Sequence, residues 1–140
     1  MKRDSLLVGA VVGTLLFGAT LVLAPALTRQ GFGLLLYGDA ARIDGFGAAA
    51  VAYVTLLHGV LGAVMIGWAL ALLALLRGPW RAAPAQAQAV IAVSVGLWFV
   101  VDSAFSAAVG AWPNVALNAA FGALFAVGLA LARARGGTAS

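Results

Sequence analysis

Long apolar segments separated by turn residues and arginines dominate the pattern of this chain. They cover about residues 6–24, 48–76, 86–110 and 113–132. An α-helix rises about 1.5 Å per residue, and about 20 apolar residues cross the hydrocarbon core of a bilayer. The pattern therefore predicts an all-α, integral membrane four-helix bundle that forms a single domain.

The longest segment between these spans, residues 28–47, has a mixed composition. It contains five glycines, an apolar run from Phe32 to Tyr37 and four charged residues whose charges cancel. Such a segment is typical of a short helix or lid that lies in the membrane interface. The alternative is that Arg42 and Asp44 are ordinary solvated loop charges. The small polar residues of 136–140 predict a flexible tail.

The first span allows two interpretations. A basic start, an apolar run and the sequence Ala24-Pro25-Ala26 have the form of a cleaved signal peptide, but the run is longer than is usual for one. We therefore expect an uncleaved first helix. Within it, Gly9 and Gly13 form a G-x-x-x-G pair, which indicates a close helix–helix contact or is a chance result of the high glycine content.

Basic residues mark the ends of the spans and predict the orientation. With both termini in the cytoplasm, six of the eight basic residues lie inside and Arg29 and Arg42 lie outside. This agrees with the excess of Lys and Arg in cytoplasmic loops. The prediction is N-in and C-in, with 28–47 as an external loop. The inside residues are Lys2, Arg3, Arg77, Arg81, Arg133 and Arg135.

Composition narrows the chemistry. Of 140 residues, 64% are hydrophobic and 9% are charged, whereas a soluble domain has about 25% charged residues. The chain has no cysteine, no glutamate and one histidine, so we expect neither a disulfide nor a metal site within one chain. The net charge of +4 lies at span ends, so it indicates the bilayer rather than nucleic acid as the partner.

Two ionisable residues lie inside the predicted spans, His58 and Asp102. An ionisable residue within a membrane costs about 2.5–3.5 kcal/mol on insertion scales and is a functional candidate. Counted from Gly47, His58 lies about 16 Å deep, and counted from Gly110, Asp102 lies about 12 Å deep. The two side chains are therefore predicted to share the outer half of the bundle.

Other polar residues lie near Asp102 in the sequence. Trp98, Asp102 and Ser106 share one helix face, and Asn114 and Asn118 begin the next span. We predict that they converge with His58 on a polar pocket open to the exterior. The candidate ligand-binding residues are Arg42, Thr55, His58, Trp98, Asp102, Ser103, Ser106, Asn114 and Asn118.

This cluster has two interpretations. It binds a small polar molecule, a lipid headgroup or a proton, or its side chains hydrogen-bond between helices and hold the bundle together at about 0.6 kcal/mol each. Asn114 can also cap the turn before it. The charge of Asp102 can be balanced by protonated His58, by Arg29 or Arg42, or removed by protonation.

Catalysis is the less favoured alternative. Asp102, His58 and nearby serines resemble a hydrolytic triad on paper, but no nucleophile elbow is present. His58 is a possible axial ligand for a tetrapyrrole, but nothing else in the sequence supports one, so no cofactor is expected. Transport by four short spans requires an oligomer.

Residues 58–79 and 98–118, HGVLGAVMIGWALALLALLRGP and WFVVDSAFSAAVGAWPNVALN, resemble segments of small bacterial four-helix inner-membrane proteins. The layout is also similar to that of DoxX-like proteins. The resemblance implies a bacterial inner-membrane location and a four-helix bundle, and it brings no activity.

The leading prediction is a non-enzymatic membrane protein, either an accessory subunit or a binder of a small or lipidic ligand, alone, as a homo-oligomer or in a larger membrane complex. The alternative is a small membrane enzyme or a proton-coupled carrier that uses Asp102 and His58.

Overall fold

A computed structural model describes residues 5–136 of the chain, and in this range the regular structure is helical. The all-α prediction is confirmed. The α-helices are α1 (Ser5–Leu23), α2 (Pro25–Tyr37), α3 (Ala48–Arg77), α4 (Pro79–Ala82), α5 (Pro84–Ala108) and α6 (Trp112–Gly136), and Asp44–Phe46 forms a 3-10 turn. The predicted flexible tail lies outside the described residues apart from Gly136, as do Lys2 and Arg3.

Within the described range, the four helices α1, α3, α5 and α6 are long and apolar enough to cross a membrane. Large apolar side chains on them face outward: Val93 is 69% exposed, Phe105 67% and Leu23 81%. A soluble monomer rarely exposes so much contiguous apolar surface, whereas a lipid-facing helix does. These helices indicate a multi-pass membrane protein.

The 28–47 segment differs from a continuous loop, because its first part belongs to α2. Pro25 is the first residue of this helix, where its missing N–H is not needed. The helix ends at Gly38, which adopts a φ of 71° and donates its N–H to the carbonyl of Leu34. A left-handed glycine is a common way for a helix to end. The short helix α4 lies between the second and third predicted spans, 48–76 and 86–110.

The chain forms two compact units. The first contains the start of α1, the last turns of α3, and all of α4, α5 and α6. The second, Gly13–Leu70, contains the rest of α1, α2, the 3-10 turn and most of α3.

In the first unit, α5 and α6 form an antiparallel hairpin. Gln88 lies beside Arg133 at one end, and Ser106 lies beside Asn114 at the other. Between them, Gly122 lies so close to the ring of Phe99 that a Cβ would be 3.1 Å from Phe99 Cδ2. The first turns of α1 pack on the same hairpin. A Cβ on Gly128 of α6 would be 3.2 Å from the Cα of Leu7.

In the second unit, two glycines bring α1 and α3 into backbone contact. A Cβ on Gly18 would lie 2.9 Å from the Gly62 carbonyl oxygen, and a Cβ on Gly62 would lie 2.5 Å from the Gly18 carbonyl oxygen. Small residues allow this approach in membrane helices, where van der Waals packing drives association.

The predicted packing pair, Gly9 and Gly13, does not make such a contact within the described chain. A Cβ on either glycine would meet nothing within 4 Å. The sequence pattern identified a glycine-containing helix face but not the face that meets a neighbour. Contact of Gly9 and Gly13 with another protein stays a prediction.

Candidate functional site

Asp102 lies in a compact hydrogen-bonded network near the turn of the α5–α6 hairpin. Its Oδ1 accepts hydrogen bonds from Ser106 Oγ at 3.1 Å and from Asn114 Nδ2 at 3.2 Å. Asn114 Nδ2 also donates to Ser106 Oγ at 2.8 Å. The three side chains, which we call the Asp102 network, thus form a closed triangle.

The local sequence explains why the network forms. Asp102 and Ser106 are one helical turn apart and therefore lie on the same face of α5. Gly110, with a φ of 77°, reverses the chain after α5, and the Ala111 N–H donates to the Ser106 carbonyl at 2.8 Å. This tight turn carries Asn114 back over α5. Its side-chain amide reaches across the hairpin and does not cap the turn.

A second polar contact lies one turn farther from the loop. Asn118 Nδ2 donates to Ser103 Oγ over 3.5 Å, a long hydrogen bond. Asn118 and Ser106 are each only 3% exposed, so both belong to the packed interior of the hairpin. The contact between Ser103 and Asn118 therefore joins α5 to α6 inside the hairpin.

Asp102 differs from these residues because its side chain is only partly buried and only one of its two carboxylate oxygens accepts hydrogen bonds within the described residues. Within the described residues, its Oδ1 accepts both hydrogen bonds, its Oδ2 accepts none, and no basic side chain forms a salt bridge with it. Trp98 is half-buried one turn earlier on the same face of α5. The network thus leaves Oδ2 of Asp102 without a hydrogen-bond partner among the described residues.

Thr55 and Arg29 belong to a separate polar cluster in the second unit. Arg29 Nε donates to Asp44 Oδ1 at 2.6 Å, and Arg29 Nη1 donates to Thr55 Oγ1 at 3.0 Å. The Arg29 side chain is 17% exposed. This cluster ties α2 to α3 and to the 3-10 turn. The sequence allows either a short helix or a loop in 28–47, and it does not show that α2 places Arg29 beside α3.

His58 lies in an aromatic environment within the same unit. Its ring centroid is 4.8 Å from that of Phe32, which is in turn 6.5 Å from the ring of Phe17. His58 Nδ1 is buried and has no hydrogen-bond partner in the described structure. Because His58 and Asp102 belong to different units, their convergence on one pocket stays a prediction.

Arg42, the remaining candidate, is exposed in the segment before the 3-10 turn. Its guanidinium carbon lies 6.0 Å from the centroid of the Phe46 ring, at the outer limit of a cation–π contact. Among the described residues, no three His, Cys, Asp or Glu side chains are grouped as a metal site would need.

A groove between α5 and α6, which the sequence did not predict, lies on the hairpin. The groove has a volume of about 510 Å³ and contains no residue of the Asp102 network. It depends on the register between α5 and α6, which the sequence alone does not give. Its lining residues are mostly alanine and glycine, with Arg133 among them.

Comparisons with known proteins assign no family to the chain. No protein-family model, curated protein or solved structure matches it. The resemblance of 58–79 and 98–118 to small four-helix inner-membrane proteins therefore stays a prediction, and the interpretation of the site rests on its geometry.

Proposed function

We propose that the protein is a non-enzymatic, multi-pass protein of the bacterial inner membrane that holds a ligand or a partner subunit at Asp102. The observation that supports the proposal is the asymmetry of this carboxyl group. One oxygen accepts two hydrogen bonds from neutral donors, and the other accepts none within the described residues.

The energetics favour a ligand with a cationic or hydrogen-bond-donating group. A charged residue in the membrane costs about 2.5–3.5 kcal/mol, and the two neutral donors offset only part of this cost. A charge-assisted hydrogen bond contributes about 1.5–3 kcal/mol. A donor that reaches Oδ2 would therefore bind roughly 10- to 100-fold more tightly than the same molecule without that group.

Catalysis with Ser106 as the nucleophile is less favoured, because the Ser106 hydroxyl is buried and already hydrogen-bonded. The Ser106 hydroxyl donates to Asp102, accepts from Asn114 and is only 3% exposed. A nucleophile needs access to its substrate and a base that takes its proton. A proton-coupled carrier built from several chains that uses Asp102 and His58 is the remaining alternative, since both are ionisable residues within the predicted spans.

The positive-inside rule supports an N-in, C-in orientation. With this orientation the turn of the α5–α6 hairpin lies on the external side, and Arg77, Arg81 and Arg133 lie on the cytoplasmic side. The ligand would then enter from outside the cell or from the outer leaflet.

Native mass spectrometry of the protein released from nanodiscs of its host's membrane lipids tests the proposal. We expect a bound small molecule, lipid or subunit on the wild-type protein, at least tenfold less of it on Asp102→Asn, and no change on Asp39→Asn. Asparagine keeps the Oδ1 acceptor, so the network can still form. Asp39 is a matched control, because it is an exposed carboxylate that accepts the Ala41 N–H.

A wild-type protein that carries no adduct, or none that Asp102→Asn loses, would contradict the proposal. Proton flux into liposomes that depends on Asp102, without an adduct, would support the carrier instead.

A further inference from the structure

The groove on the α5–α6 hairpin has a floor of very short side chains. On α6, Ala119, Ala123, Ala126 and Ala130 are spaced by four, three and four residues, so they share one helix face. Ala92 and Gly96 provide the matching floor on α5. The flank of Phe99 lies on Gly122 and completes the surface. The residues that line the groove are Ala92, Val95, Gly96, Phe99, Ala119, Gly122, Ala123, Phe125, Ala126, Leu129, Ala130 and Arg133.

The shape of the groove fits an extended hydrocarbon chain. From Ala119 to Arg133 the α6 backbone rises about 21 Å, and one leaflet of the hydrocarbon core is about 15 Å thick. The groove is therefore long enough for an acyl chain that runs along the helices. Its walls offer such a chain apolar contacts along most of its length.

Arg133 gives one end of the groove a positive charge. Its Nε donates to Gln88 Oε1 at 3.1 Å, which orients the guanidinium. The Nη groups have no hydrogen-bond partner in the described part of the protein. Arginine binds phosphate oxygens through two parallel hydrogen bonds. This end of the hairpin can thus hold a phosphate next to the mouth of an apolar groove.

The positive charge of Arg133 beside an apolar groove favours a phospholipid as the occupant. Within its described residues, Asp102 is the sole carboxylate of this unit, and it lies at the opposite end of the hairpin from Arg133. A phospholipid brings both the phosphate and the acyl chain.

We infer that this groove binds an anionic phospholipid, with one acyl chain along α5 and α6 and the phosphate at Arg133. This inference does not depend on the ligand proposed for Asp102. The phosphate site and the Asp102 network lie at opposite ends of the hairpin, so a variant of one leaves the other in place.

Native mass spectrometry from nanodiscs with equal amounts of phosphatidylglycerol and phosphatidylcholine tests this inference. We expect the wild-type protein to retain one phosphatidylglycerol per chain in preference to phosphatidylcholine. Arg133→Gln should lower that retention about fivefold, the value for one basic residue at an anionic lipid, and Arg81→Gln should not. Arg81 is a matched control because it is an exposed arginine that does not line the groove.

A second pair of variants tests the apolar part. Ala123→Phe fills the groove and should remove the bound lipid, whereas Ala120→Phe adds the same ring to an exposed position of α6 outside the groove. Equal retention of both lipids, or unchanged phosphatidylglycerol in Arg133→Gln, would overturn the inference. A lipid-free dimer that Ala123→Phe dissociates would also overturn it, because a second copy would then occupy the groove.

Discussion

Replacing Gly62 by alanine tests the backbone contact between α1 and α3. The new Cβ would lie 2.5 Å from the Gly18 carbonyl oxygen and 2.8 Å from the Leu21 Cβ, whereas real Cβ atoms almost never approach within 3.0 Å. The helices must therefore separate by at least about 0.5 Å. The backbone cannot rotate away as a flexible side chain can, so the contact along the crossing is lost.

The magnitude follows from two opposing effects. Overpacking of this kind costs about 1–3 kcal/mol, and alanine gains about 0.8–1.0 kcal/mol over glycine in a helix. We expect Gly62→Ala to lower the free energy of unfolding by up to about 2 kcal/mol. Gly67→Ala, in the same helix, meets nothing within 4 Å and should gain up to about 1 kcal/mol.

Thermal unfolding of the detergent-solubilised protein measures this difference. A change of 1 kcal/mol shifts the Tm of a chain of this size by roughly 3–5 °C. The Tm of Gly62→Ala should therefore fall below that of Gly67→Ala by on the order of 5–10 °C. Equal Tm values for the two variants would refute the close helix crossing.

Two further predictions concern the second unit. Arg29→Gln loses the ion pair with Asp44 and the hydrogen bond to Thr55, so it should lower the free energy of unfolding by about 1–3 kcal/mol. Arg42→Gln, an exposed control, should change it by less than about 0.5 kcal/mol; equal effects in chemical denaturation would contradict the cluster. His58→Phe removes a buried nitrogen that has no hydrogen-bond partner. It should keep or raise the Tm, because an unsatisfied buried polar group costs about 1–3 kcal/mol; a fall of several degrees would show that the imidazole has a partner.

The four long apolar helices of the described chain could be predicted from the sequence because their apolar runs are long and end at Pro, Gly or Arg. The Asp102 network could be anticipated for a related reason. Helical spacing puts Asp102 and Ser106 on one face, and the short turn before Pro113 forces Asn114 back onto that face. Local geometry alone specifies both features.

The remaining features depend on contacts between helices that are distant in the sequence. A G-x-x-x-G pattern drew attention to Gly9 and Gly13, but the close crossing is made by Gly18 and Gly62, on two different helices. The contacts of Arg29 with Asp44 and Thr55 likewise depend on how α2 lies against the 3-10 turn and α3, which the composition of 28–47 does not specify. A sequence pattern describes one helix face and does not name the face that it meets.

The central claim is that Asp102 offers a carboxylate oxygen to a ligand or partner. The most direct test compares the mass of the wild-type protein with that of Asp102→Asn, both released from nanodiscs of the host's lipids under identical conditions. The account predicts an additional bound mass on the wild-type protein that is at least tenfold less abundant on Asp102→Asn. A phospholipid in the α5–α6 groove would remain on both proteins; the account is contradicted if no bound mass on the wild-type protein is reduced on Asp102→Asn.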